Sequence, residues 1–390
     1  MSINHYLINL MNKIQSTLDR NNIEESYAVI LNLYDWKSAF DMQCPILGLK
    51  SFIRNGVRPY LLPVLRNFLQ NRRLKVKWHN KMSSERPLNG GGPQGGTLGI
   101  WEYLSLTNNN LDFVKVDERF KFVDDASALE MINLLSIGLA SYNIKQHVPS
   151  NIPTHNQIIQ NNHLKSQKYL ETLNNWSNQQ KMELNIDKTK AMIFNFSKDK
   201  QFTVSLEINN KQISIVDNVK LLGTHITTDL KWELNTQQIV KRANARMEIL
   251  RKIRDFKPKL EDMKTIYISY IRSILEQSCQ VWNFNLTNEN IDDLERVQKN
   301  AFRIILGQSY SNYESALNIL NLEDLQARRN YLCKKFAIKC TQNEKTKNMF
   351  KLNAKINRNL KYREKYQVEF ARTARYKQSA IPQMQRLLNT

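Results

Sequence analysis

The chain has 390 residues, enough for two to three domains at roughly 150 residues each. Lys and Arg outnumber Asp and Glu by 57 to 36, a formal charge of +21, and 41% of the residues are apolar, a composition that supports a buried core and excludes a wholly disordered chain. No apolar run reaches the ~18 residues of a membrane span, and Asn4, Asn9 and Asn12 interrupt the N-terminus where a secretory signal needs an unbroken apolar stretch.

The elements follow in order. Tyr6, Ile8, Leu10, Ile14 and Leu18 recur at helical spacing, so residues 5–20 are predicted as an amphipathic helix. Residues 27–34 (YAVILNLY) form a short, nearly continuous apolar run, the pattern of a strand buried on both faces, and it ends on Asp35. Two helices, 46–55 and 58–70, break at Asn55-Gly56. Residues 73–78 alternate basic and apolar, which predicts one strand with a cationic face. Residues 89–96 (NGGGPQGG) hold five of the 11 glycines, the mark of a loop whose backbone comes close to something, with a helix after it to about Leu106.

Short β segments on either side of Asp124-Asp125 predict a hairpin with those two residues at its tip. Residues 145–163 are polar and carry two prolines, as a surface insertion would. A helix over 164–182 and a strand over 191–196 come next. Phe202 to Ile208 alternate, Asn209-Asn210 turns the chain, and Ile213 and Ile215 return. From there the pattern is helical: 236–254, 261–278 and 291–306, the last stopped by Gly307.

Cys44, Cys279, Cys333 and Cys340 include no CxxC pair, and the six histidines include no HExxH or HxxxH pair, so neither zinc nor a redox dithiol is expected. A metal, if used, would sit on carboxylates, which points to Mg²⁺ or Mn²⁺. Residues 331–390 carry fifteen Lys or Arg against three acids, and a second basic cluster spans Lys241 to Lys259. Either run alone reads as a solvated face; two in so basic a chain point to a polyanion, most commonly nucleic acid.

The chemistry gathers on acids. Alone, Asp35 reads as a cap and Asp124-Asp125 as a solvated turn. Strands side by side in one sheet would bring all three carboxylates to one edge, where a cation is needed to offset their repulsion.

Residues 35–41 (DWKSAFD) resemble the DxxxAFD block of reverse transcriptases from LINE-type (non-LTR) retrotransposons. Residues 92–99 (GPQGGTLG) are similar to the family's GxPQGSxLG block, 122–125 (FVDD) to its F/Y-x-D-D box, 184–190 (LNIDKTK) to its LNxxKT stretch, and 220–223 (KLLG) to its primer grip. Val281-Trp282, residues 294–299 (LERVQK) and residues 305–307 (ILG) resemble its helical segments beyond the thumb.

The resemblance implies an α/β (α+β) right-hand polymerase palm with an antiparallel sheet and partial fingers over 1–228, a helical thumb-like region over 229–307, and a basic helical C-terminal region over 308–390. It implies RNA-directed DNA polymerase activity on an RNA template, a DNA primer and dNTP. Asp35 and Asp124 would be the main metal ligands, with Asp125 supporting. Phe40 would be a steric gate against ribonucleotides, Gln94 and Gly95 would line the nascent base pair, and Lys188 would donate a proton near the pyrophosphate. Leu222 and Gly223 would make the primer grip. Without the resemblance, Phe40 reads as a core residue and Lys188 as a solvated lysine. The basic helix 236–254 would hold the template–primer duplex.

The sequence also departs from the family. Only 34 residues precede Asp35, which leaves no room for the usual fingers blocks, and Ile100 stands where the family has Pro. No endonuclease domain or Cys/His knuckle is visible. The chain therefore reads as a polymerase, or as a fragment or degraded copy that keeps the palm to bind nucleic acid; no splicing domain marks a maturase. Oligomeric state is not legible. The expected location is intracellular, and nuclear only in so far as such elements copy into chromosomes. Residues 341–390 read equally as a basic arm or a disordered tail.

Overall fold

The computed structural model describes residues 2–21, 26–134, 164–197, 204–353 and 365–390. Packing divides the chain into two compact units: Ala28–Val216, and Met1–Tyr27 together with Asp217–Thr390. The blocks 1–228, 229–307 and 308–390 rest on motif order and composition, and packing draws its line on different grounds. Among the described residues, no helix is long and apolar enough to cross a membrane.

The first unit is built on strands β1 (Tyr27–Tyr34), β2 (Arg72–Leu74), β3 (Lys77–Trp78), β4 (Lys81–Met82), β5 (Arg86–Leu88), β6 (Arg119–Phe122), β7 (Asp125–Asn133), β8 (Lys190–Asn195), β9 (Glu207–Ile208), β10 (Lys211–Gln212) and β11 (Ser214–Ile215). Five form one sheet in the order β11-β8-β1-β7-β6. β1 lies in the middle, which is why its apolar run is buried from Ala28 to Tyr34. β1 pairs antiparallel with β8, Val29 opposite Phe194 and Leu33 opposite Lys190, and β6 pairs antiparallel with β7. β11 runs parallel to β8, so the sheet is mixed rather than antiparallel throughout. A parallel pair needs a crossover, and the chain between β8 and β11 supplies it.

The helices Thr97–Thr107 and Lys165–Gln179 join the sheet in one core, with Tyr103 and Leu106 from one, Leu170 and Leu173 from the other, and Ile30, Tyr34 and Ala128 from the strands. The helix Pro45–Arg54 starts on a proline whose missing N–H costs nothing in a first turn, and it stops at Asn55-Gly56. The expected single strand over 73–78 is instead two short strands, β2 and β3, in a longer ribbon. β9 and β10 turn at Asn209-Asn210, both at positive φ, as a tight hairpin requires. The insertion expected at 145–163 lies outside the described residues, as does Phe202.

The second unit holds the N-terminal helix Ile3–Asp19, the antiparallel hairpin β12 (Asn218–Leu221) and β13 (Thr224–Thr227), and the helices that follow. Leu222 (φ +47°) and Gly223 (φ +84°) form the hairpin's two-residue turn. The positive φ at Gly223 is what calls for glycine there, and a side chain would also displace the Gln277 amide, 2.7 Å away. The helix Glu233–Arg254 buries Ala243, Met247 and Leu250 and exposes Lys241, Arg246, Arg251 and Lys252. Helix Asn288–Leu306 is capped by Thr287, whose hydroxyl accepts from Asn290 N–H, and ends at Gly307.

Of the two readings of residues 341–390, the disordered tail does not describe residues 365–390. Residues 365–390 are folded, with Tyr376, Ile381 and Met384 buried, because apolar side chains spaced among the cations pack against the N-terminal helix.

Candidate functional site

Asp35 follows the last residue of β1, and the turn ahead of β8 closes around it. Trp36 bridges Leu184, Lys37 N–H donates to the Glu183 carbonyl (2.9 Å), and Asn185 N–H donates to the Asp35 carbonyl (2.9 Å). Asp35 N–H reaches the Thr189 hydroxyl at 3.3 Å. Antiparallel pairing of β1 with β8 thus carries Lys188 to Asp35, although 153 residues separate them in sequence. Burial raises the Asp35 carboxyl above the ordinary carboxylate range, and Asp124 pushes the same way. The Lys188 ammonium and a hydrogen bond from the Asn185 side chain oppose them. Asp35 Oδ2 is buried and has no hydrogen-bond partner.

The β6–β7 hairpin brings the other two acids. Phe122 pairs with Asp125, so the tip is Val123-Asp124, one residue earlier than the sequence suggested, and Asp125 opens β7. Pairing sets this register: once Arg119 faces Ala128, only two residues remain to turn the chain. Val123 takes φ +56°, an uncommon conformation for a β-branched residue. Asp124 is exposed, whereas Asp125 is half-buried. Burial, then Asp124 and Asp35, push the Asp125 carboxyl up to about 6.

Tyr103 is near enough to all three acids to sense their charge. It is fully buried and its hydroxyl has no partner. Burial raises its pKa, and the charges of Asp124, Asp125 and Asp35 add to the shift. Phe40 stacks on its ring, centroids 5.0 Å apart and planes 30° apart. Phe40 is thus partly a core residue, as its sequence alone suggested, with a ring that rests on the tyrosine next to the acids.

The glycine-rich loop is held by the residues that follow Asp35. Gly92 N–H donates to the Phe40 carbonyl (2.6 Å), Gly91 N–H to the Gln43 carbonyl (2.9 Å), and Gln94 Nε2 to Asp41 Oδ1 (2.9 Å). A Cβ at Gly92 would stand 2.3 Å from Gln43 Oε1. The close approach predicted from this loop is therefore made first of all to the chain itself. Gln94 and Gly95 are exposed, and Gly95 takes φ +84°.

The structure therefore gathers Asp35, Asp124, Asp125 and Lys188 in one unit, with Phe40, Gln94 and Gly95 on the segments that border them. Leu222 and Gly223 belong to the other unit. Sequence reading gave no role to Asn185, Thr189 or Tyr103. Asn and Thr in a tight turn next to a paired acid were the available signal for the first two, but Tyr103 carried none beyond helical spacing. The donor chemistry suits a hard, oxygen-binding cation: mutually repelling carboxylates and one buried, unpartnered oxygen. Among the described residues, no group of three or more His, Cys, Asp or Glu side chains stands at the spacing of a metal site.

No protein-family model matches the chain, and no curated protein matches it. Solved structures similar to it include apo telomerase from Candida tropicalis, with 13% identity over 87% of this chain and 54% of that one, at a TM-score of 0.38. Another is telomerase from Candida albicans in complex with a TWJ fragment of telomeric RNA, with 12% identity over 82% of this chain and 54% of that one, at a TM-score of 0.34. The chain spans about half the length of each.

Proposed function

We propose that the chain is an RNA-directed DNA polymerase of the non-LTR retrotransposon type, adding dNTP to a primer 3′-hydroxyl on an RNA template. One observation carries this reading: Asp35, at the end of β1, and the Asp124-Asp125 pair, at the start of the neighbouring β7, are far apart in sequence yet close enough to act on one another's carboxyls, with Lys188 acting on Asp35. The motif order in the sequence supports it.

Asp35 and Asp124 would hold Mg²⁺ or Mn²⁺, with Asp125 supporting. A bound divalent ion would lower the pKa of the primer hydroxyl and stabilise charge on the departing pyrophosphate. Lys188 would give a proton to that leaving group. Phe40, seated on Tyr103, would exclude a 2′-hydroxyl, and Gln94, oriented by Asp41, would position the nascent base pair next to Gly95. Leu222 and Gly223 would steady the primer end.

A second reading keeps the fold as a nucleic-acid binder that does not polymerise. The excess of 57 Lys and Arg over 36 Asp and Glu is what such a binder needs. Primer extension on an RNA template separates the two. Polymerisation requires incorporation that Asp124→Ala lowers at least ~1000-fold. Salt-sensitive binding with no incorporation by the unaltered chain would leave the binder.

A further inference from the structure

Residues 72–88 form a ribbon that stands out from the sheet of its unit. β2 pairs with β5, and β3 with β4, around a turn at His79-Asn80, where His79 takes φ +50°. Between the two ladders Val76 bonds Ser83 twice, its N–H donating to the hydroxyl (2.8 Å) and its carbonyl accepting from the Ser83 N–H (2.9 Å). Two residues, 75–76, face three, 83–85, so the returning arm carries a bulge that twists the ribbon.

Every residue from Arg73 to Leu88 is exposed. Among them are large apolar side chains that a solvated hairpin has no use for: Trp78 is 74% exposed, Met82 59% and Val76 57%. The ribbon also carries Arg72, Arg73, Lys75, Lys77, Lys81 and Arg86 against the single acid Glu85. Arg72 is committed to the Gly90 and Gly91 carbonyls, and Arg73 and Lys75 share Glu85 at 3.5 and 3.2 Å. Among the described residues, no acid pairs with Lys77, Lys81 or Arg86. Cross-strand partners share a face, so Lys81 stands beside Trp78 and Arg86 beside Leu74. His79 meets the indole edge-on at 5.2 Å.

We propose that this ribbon binds single-stranded nucleic acid, Trp78 stacking on an unpaired base while Lys77, Lys81 and Arg86 contact the phosphates on either side. An exposed aromatic with cations next to it is the combination that holds a single strand without reading its sequence. The charge ratio selects a polyanion over an apolar protein surface. The surface uses none of the carboxylates, and the proposal holds for a polymerase and for a binder alike.

The test uses the full chain, a fluorescent single-stranded RNA of about 12 nucleotides and a blunt duplex of the same length. Trp78→Ala should weaken single-strand binding about ten-fold, leave the duplex affinity unchanged, and leave the thermal unfolding midpoint in place. Trp78→Phe should restore most of the loss. Replacing Lys77, Lys81 and Arg86 together by Ala should lower the slope of log affinity against log salt by about two. Unchanged single-strand binding in both the Trp78→Ala and the triple variant would overturn the proposal. So would equal losses on single strand and duplex for Trp78→Ala, or retained RNA binding with lost attachment to phosphatidylserine vesicles.

Discussion

Glu102 has no exposed surface, and neither of its carboxylate oxygens has a hydrogen-bond partner. Burial pushes its carboxyl up to about 7, with Arg72 pulling the other way. The folded chain thus holds this proton across a window, from the ordinary glutamate value of about 4.3 up to about 7, where the unfolded chain has released it. Stability contributed by that proton is complete below the window and is lost as pH rises through it. Glu102→Gln, nearly isosteric, should therefore raise the thermal midpoint at pH 8 and change it little at pH 4; no gain at pH 8 would refute the account. Asp125 obeys the same rule with a second cause. Its carboxyl is raised by Asp124 as well as by burial, so Asp124→Asn should bring its NMR-detected titration midpoint down from about 6 toward the usual range. An unmoved midpoint would mean that the two acids do not sense each other.

At the scale of the element, the β6–β7 hairpin carries strain at its tip. Its tip places the β-branched Val123 at φ +56° beside Asp124. A left-handed conformation costs an L-residue roughly 1–2 kcal/mol, and glycine escapes that cost. Val123→Gly should accordingly raise stability by about 1 kcal/mol in denaturant unfolding, and a loss of that size would show that the valine side chain contributes more than its backbone costs. The glycine-rich loop illustrates the opposite economy. Gly92 is there because Gln43 fills the space a side chain would need, so the loop is shaped by the segment that follows Asp35. Sequence composition announced a close approach; it did not say to what.

At the scale of the whole molecule, the two ends of the chain are parts of one packing unit. Asp19, at the end of the first helix, is buried and accepts from Arg372 N–H (2.8 Å), Thr373 N–H (2.7 Å) and the Thr373 hydroxyl (2.5 Å). Tyr376 hydrogen-bonds both Asn12 and Glu369. Asp19→Ala would leave two backbone donors and a hydroxyl without their acceptor, which should destabilise the docking of residues 372–390 by about 2–3 kcal/mol. Limited proteolysis should then cut near residue 370 before the rest of the unit; a cleavage pattern like that of the unaltered chain would argue against the anchor.

The sequence by itself determined the local elements. The apolar run of β1, the break at Asn55-Gly56, the loop at 89–96 and the stop at Gly307 were all legible, because periodicity and turn chemistry act over a few neighbouring residues. It also supplied the candidate acids by type and motif order. Register and packing were decided only by the tertiary structure. The hairpin tip moved to Val123-Asp124 because pairing, not turn preference, fixed it, and β11 joined the sheet in parallel because a crossover allowed it. Lys188, Asn185 and Thr189 reached Asp35 through strand pairing across most of the unit. Residues 365–390, part of a segment whose charge left a basic arm and a tail equally open, fold because their apolar residues find a partner at the opposite end of the chain. No window of sequence contains both halves of such a contact.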